Sequence, residues 1–392
     1  MNSKERVLTV LKGGVPDRVP FAPNIGQWFS YHKHSGTLPP ELEGCEDELD
    51  AMLRMETDIF SRRLGPFFAQ SIPGVEMHRY YVPMDGGPRA EVKPPASTPF
   101  GHEEPHPPNV WVVTEVVTPL GTLRNRARFT SASFTTFEEE HFVKDFERDY
   151  PALRYIVENT SYAFDPEKYR QVEERLGDQG VAFVPMAQSP IKLLHIWGGQ
   201  VDGTLFLVDY EKECRDLFEI HTANVVDMAQ QAAQCDALAF SLGDNLDSLF
   251  YSPPLFRTYE IEFHQEIADI LHGADKLLFS HACGRLWSLR ELIAEAGLDG
   301  MEGIPHPPLG DLPLDEAKNI HDGFIVNGGM TAHEQEITDD PERGIRAYVR
   351  DLFDGMRPFD RFFFSSGCNT SIRTPWENLL IFEEACHEFG SS

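Results

Sequence analysis

The stretch Leu277-Leu278-Phe279-Ser280-His281-Ala282-Cys283-Gly284 is an apolar run that stops at two good metal ligands and a glycine. Residues two apart on a strand share a face, so an extended backbone through Ala282 aims His281 and Cys283 the same way. A second apolar run, Arg361-Phe362-Phe363-Phe364-Ser365-Ser366-Gly367-Cys368, also ends in a cysteine. One imidazole and two sulfurs at two strand ends form a ligand set suited to zinc. Without a second Cys-x-x-Cys pair, their number fits a catalytic ion with one open position rather than a closed structural one. On spacing alone the same residues also read as a buried core histidine and two inert cysteines.

Outward from this stretch, short apolar runs recur: Val181 to Met186, Ala237 to Leu242, Lys276 to Ser280, Gly300 to Ile304, Phe324 to Asn327 and Phe362 to Ser365. Spans with helical patterning separate them, including Glu211 to Cys235, Tyr259 to Leu271, Leu286 to Glu295, Leu314 to Asn319 and Pro341 to Phe353. Strands that are apolar throughout and alternate with helices indicate a parallel sheet with helices on its faces. With Val19 to Asn24 and Leu53 to Phe60 the strands number eight, which predicts an α/β protein built as a (β/α)8 TIM barrel. A doubly wound sheet is the alternative, but no dinucleotide fingerprint supports it. Nor is there a phosphate loop, HExxH, nucleophile elbow or solenoid repeat.

Such barrels typically run to about 250 residues, and a β-rich insertion at about 73–130, in the N-terminal third, accounts for part of the excess in a single domain of 392 residues. Its expected strands are Val75 to Val82, Arg89 to Lys93, Val110 to Thr118 and Thr122 to Phe129. A hairpin turn falls at Pro119-Leu120-Gly121, and a Pro- and His-rich loop at Pro94 to Asn109. Punctuation places a helix after Asp165-Pro166-Glu167 that closes at Gly177. It places a last helix over Pro375 to Phe389, with Thr374 and Glu377 as a capping box and Gly390 as the stop.

The formal charge is −29, from 34 basic and 63 acidic residues. No Lys/Arg run offsets it, so nucleic acid and anionic membrane surfaces are disfavoured partners. No apolar run reaches spanning length, and the charged, amphipathic start Met1 to Lys12 lacks the pattern of a signal peptide. Six scattered cysteines fit free thiols, and the expected location is cytoplasmic.

Barrel active sites lie at the C-terminal ends of the strands. Polar residues expected there are Asn24, Asp58, Asp244, Asn245, His281, Cys283, Glu302, Asn327 and Cys368. For Asp244, Asn245 and Asn327 a capping role is the competing reading.

Several segments resemble the uroporphyrinogen decarboxylase superfamily, and within it the zinc-dependent, corrinoid-linked methyltransferases. They are KERVLTVLKGGVPDRVPF over residues 4–21, FSHACG from Phe279, GLDGMEGIPHPPLGDLPLDEAK from Gly297, IVNGGM from Ile325, and SSGCN followed by TPWENLLIFEEACHEFG. The resemblance implies the barrel. It also implies His281, Cys283 and Cys368 as zinc ligands, as in the methylcobamide:coenzyme M methyltransferase branch. The decarboxylase itself carries an Arg-Gln-Ala-Gly-Arg loop, whereas this chain has Asn24-Ile25-Gly26-Gln27-Trp28-Phe29. Without that arginine fork, a multi-carboxylate substrate lacks its grip, and the aromatic loop suits a less charged one.

The expected function is methyl transfer between a small methyl ether or thiol and the cobalt of a corrinoid, in O-demethylation. The corrinoid is expected on a partner protein, because no Asp-x-His-x-x-Gly segment is present. Glu302 is expected as a fourth ligand or proton-handling carboxylate, and Asp244 as a further catalytic candidate that works with Asn245 on substrate orientation. Asn24 and Trp28 complete the substrate-binding candidates, and a homodimer is compatible with all of this. The rival readings are a metal-free decarboxylase and a corrinoid- or tetrapyrrole-binding module.

Overall fold

In a computed structural model, which describes residues 1–92, 106, 107 and 109–391, the apolar runs pair side by side and in parallel. Their order is Ile59–Ser61, Gly180–Pro185, Ala239–Leu246, Leu277–Ala282, Gly300–Ile304, Ile325–Met330 and Phe362–Ser366. The eighth position belongs to residues 20–22. Phe364 N donates to Pro20 O (3.0 Å), Ala22 N donates to Phe364 O (2.9 Å), and on the other side Asp58 N donates to Phe21 O (2.9 Å). The ring therefore closes through a single bridge, Phe21 to Phe364, where a full strand was expected over Val19 to Asn24. Pro20 and Pro23 explain this, because neither has an N–H to give to a ladder.

The strand expected over Leu53 to Phe60 is shorter and starts later. Asp47 accepts from Asp50 N (2.9 Å) and caps a helix, Glu48–Arg54, so the strand begins only at Ile59. Asp58 consequently lies at the start of its strand and not at the mouth. Fully buried there, it accepts from Arg6 Nη1 (2.5 Å), Arg18 Nη1 (2.7 Å) and Phe21 N (3.0 Å).

Aromatic side chains fill the barrel. Phe60 stacks on Phe183 (4.3 Å between centroids) and on Phe363 (4.8 Å), and Phe183 meets Phe279 edge-on (5.1 Å). Such pairs add about 0.5–1.5 kcal/mol each beyond burial. Helix Ser3–Leu11, held by a capping box between Asn2 and Glu5, contributes Val7, Val10 and Leu11 to the same cluster.

The helix after Asp165 runs Pro166–Leu176 and ends at Gly177, which has φ +52°, as its punctuation predicted. The last helix, Trp376–Phe389, lacks the expected capping box. Pro375 is its N-cap, and the Thr374 hydroxyl donates to Gln335 Oε1 instead (3.2 Å).

These elements belong to one compact unit, Met1–Phe67 with Asp165–Ala187 and Ala232–Ser392. The other unit, Phe68–Phe164 with Gln188–Gln231, is larger than the insertion expected at 73–130. It holds an antiparallel sheet in the order Ala90–Val92, Glu76–Pro83, Val110–Thr118, Gly121–Thr130, Thr135–Glu140, with the predicted turn at Pro119-Leu120. It adds the strand pair Phe68–Ser71 and Ser161–Phe164 and the helices Phe146–Asn159, Pro190–Gly198 and Gln200–Asp209. The loop expected over Pro94 to Asn109 falls almost entirely outside the described residues. No helix among the described residues is long and apolar enough to cross a membrane, and all six cysteines are free.

Candidate metal centre

Strand Leu277–Ala282 alternates, so His281 shares a face with Phe279 and stands above it toward the strand end. Ala282 pairs with Leu246, and Cys283 N donates to Leu246 O (3.1 Å). The backbone is thus held in a pairing arrangement past Ala282, and Cys283 turns its side chain toward the same region as His281. Cys368 arrives from strand Phe362–Ser366. Gly367 N donates to Met330 O (2.8 Å), Asn24 Nδ2 donates to Cys368 O (2.7 Å), and Thr370 N donates to Asn24 O (2.8 Å). Asn24 therefore anchors the Cys368 loop from two sides.

The donor atoms of His281, Cys283 and Cys368 lie within 4.8 Å of one another, and Cys368 Sγ is 3.6 Å from His281 Nε2. Two donors on one tetrahedral zinc, at roughly 2.0 and 2.3 Å, stand about 3.5 Å apart, so this pair already has the required spacing. Gly303, at φ +76°, makes room for the approach, because a Cβ there would sit 2.6 Å from the His281 ring and against the Gly367 carbonyl.

Behind the cluster, His281 Nδ1 lies 2.8 Å from Glu302 Oε1, and the same oxygen pairs with Arg62. His281, Glu302 and Asn327 occupy one register row of the sheet. Burial works against the Glu302 charge, but Arg62 and then His281 overcome it and hold the carboxyl down at about 2. His281 is pushed above its usual value: burial and the Arg62 charge oppose protonation, while Glu302 and Cys283 favour it more. The Cys368 thiol is driven far up, first by the neighbouring Cys283 and then by burial. With a second sulfur and the Glu302 carboxylate so close, the Cys368 thiol resists ionisation until a cation sits beside it, which inverts the preference.

Cys283 and Cys368 line a cavity of about 230 Å³. Its apolar walls are Pro305, Leu309, Met330 and Ala332, and its polar ones are Thr331 and Asn369.

Glu302 does not join the donor cluster; it faces the far nitrogen of His281. Asp244 is fully buried, accepts from Ser280 Oγ (2.8 Å), lies 3.1 Å from His264 Nε2 and does not line the cavity. Asn245 adopts φ +54°, where the ladder shifts register between Leu242 and Leu246, and is also not a lining residue. Trp28 sits on a helix, Gly26–Ser35, where a loop was expected. It is 1% exposed, its indole N–H donates to Thr374 O (2.9 Å), and it stacks on Trp376. Arg62, Thr331 and Asn369 also stand at this site, and no sequence pattern marks them. Arg62 follows a strand of only three residues, too short to reveal itself by pattern.

A family model described as "Uroporphyrinogen decarboxylase (URO-D)" matches residues 163–389. No curated protein sequence matches the chain. Among solved structures, a methyltransferase from Methanosarcina mazei is similar over 99% of this chain and 99% of its own, with 15% identity and a TM-score of 0.59. A psychrophilic glycoside hydrolase family 10 endo-beta-1,4-xylanase is similar over 56% of this chain and 82% of its own, with 13% identity and a TM-score of 0.34. At 15% identity the first likeness is one of fold.

Proposed function

Because the chain belongs to the uroporphyrinogen decarboxylase family, we propose that it is a zinc-dependent methyltransferase. In this reading it moves a methyl group between a small methyl ether or thiol and the cobalt of a corrinoid carried by a partner protein, in O-demethylation. The observation that carries the proposal is the convergence of His281 Nε2 with the sulfurs of Cys283 and Cys368, the two cysteines lining a cavity.

His281, Cys283 and Cys368 would hold the ion, the cysteines as thiolates. Zinc in such a site supplies Lewis acidity to a substrate sulfur or oxygen. The chain's own residues do the rest. Glu302, kept ionised by Arg62, would accept the Nδ1–H of His281 and so leave the Nε2 lone pair facing the sulfurs. Asn24 fixes the Cys368 loop. The apolar walls Pro305, Leu309, Met330 and Ala332 displace water from the reacting end of the substrate. A decarboxylase handling several carboxylates needs cationic side chains at the substrate, and among the described residues none lines this cavity.

Metal analysis of the purified protein and of Cys283→Ser and Cys368→Ser tests the proposal. One zinc per chain is expected in the wild type and near none in either variant, with the melting temperature of the metal-free protein unchanged. A wild type without zinc, with turnover indifferent to Cys283→Ser, would favour the metal-free decarboxylase.

A further inference from the structure

Resting on the reading just given, we infer that the substrate beside the two sulfurs is an uncharged molecule about the size of one substituted aromatic ring, such as a neutral methyl ether, and not an anionic thiol. Size comes first. A dry apolar cavity of roughly 150 Å³ accepts benzene, so the cavity of about 230 Å³ takes a ring with a small substituent. Leu309 is 56% exposed, which leaves that wall open for the far edge of the ring.

Charge follows from the lining. The described residues around the cavity include no Lys, Arg, His, Asp or Glu. Its two polar side chains are already engaged within the protein. The Thr331 hydroxyl donates to the buried Glu334 carboxylate, while Asn369 Oδ1 accepts from Asn24 Nδ2 (3.2 Å) and Asn369 Nδ2 donates to Cys368 Sγ (3.6 Å). Arg62, behind the sulfurs, is paired with Glu302. A divalent ion between two thiolates carries no surplus charge. A sulfonate or carboxylate placed against these walls gives up part of its hydration and finds no counter-ion among the lining residues, and charge is tolerated there only when paired. The net charge of −29 also steers anions away from the molecule.

Calorimetric titration of the full chain at pH 7, zinc-loaded and metal-free, uses probe pairs that share a framework and differ in charge. These are 2-methoxyphenol against 2-methoxybenzoate, and 2-mercaptoethanol against 2-mercaptoethanesulfonate. The neutral member of each pair is expected to bind at least about tenfold tighter. Ala332→Lys, at an exposed position on the cavity edge, is expected to narrow or reverse both ratios.

Equal or tighter binding of the anions, or no binding of any probe, overturns the inference. So does a ratio unchanged by Ala332→Lys, since the probes then sit elsewhere. Zinc content is measured on the same samples. Selective neutral binding by a protein that takes up no zinc upholds this inference and defeats the metal reading, and anion preference in a fully zinc-loaded protein does the reverse.

Discussion

The barrel buries a carboxylate against arginine at each end, and the two arrangements differ in what lies beyond the pair. At the strand starts, Asp58 is enclosed by Arg6, Arg18 and the backbone N–H of Phe21, and from Arg6 the contacts run on to Asp17 and the Met1 amine. At the strand ends, Glu302 offers one oxygen to both Arg62 and an imidazole, and that imidazole faces two sulfurs that line a cavity. A buried charge must be paired at either place. Only the second pair passes its influence on to a group that can bind something, which fits the division of (β/α)8 barrels into a stabilising bottom and a reactive top.

Removing the enclosed carboxylate gives the largest expected effect. Asp58→Ala leaves two arginines without their shared partner, and breaking a buried pair costs about 3–5 kcal/mol. Thermal unfolding should show a melting temperature lower by roughly 10 °C, while the folded fraction still binds one zinc per chain. A loss of zinc at temperatures where Asp58→Ala remains folded would mean that the two ends are not independent.

The mirror experiment at the mouth should move metal affinity and leave stability nearly alone. Glu302→Gln keeps the shape but removes the charge that orients His281, and such partners of metal-bound histidines contribute about 10–100-fold in affinity. Arg62→Met acts one step further away and should cost less. Chelator competition measures both. If Glu302→Gln leaves zinc affinity intact yet abolishes turnover, the carboxylate works on the substrate and not through the imidazole.

The sequence showed more of the mouth than of the supports behind it. Runs such as Leu277–Ala282 and Phe362–Ser366 are buried on both faces and so open on unbroken apolar residues, Leu277 to Phe279 and Phe362 to Phe364, which makes them visible without an alignment. His281 and Cys283 announced themselves by being two apart at such an end. Residues 20–22 and Ile59–Ser61 were harder, because prolines thin one to a single bridge and a capped helix shortens the other. Helix Gly26–Ser35 starts from Ile25 with no side-chain cap, so Trp28 looked like part of a loop. Arg62 and Asn24 act through partners 240 and 344 residues away, Glu302 and Cys368. Local pattern carries no trace of pairings at that separation.

The smallest effect belongs to the closed end, where one acid sharpens the contrast with Glu302. Burial raises the half-buried Glu383 carboxyl to about 7; Arg18 opposes this, and Glu56, Asp58 and Glu384 add to it. Its folded value thus exceeds the unfolded one of about 4.3, so the folded state favours the protonated form. That contribution to stability is fully present below the unfolded value and is lost as pH rises through 7. Glu383→Gln, permanently neutral, should therefore match the wild type below pH 4 and exceed it at pH 8. Discounted for partial exposure, the gain is about 1 kcal/mol, or 2–4 °C in melting temperature. A gain of the same size at both pH values would trace to the amide's packing and not to the charge. The contrast with Glu302 would then rest on geometry alone, one carboxylate sealed among arginines and the other handed to a histidine.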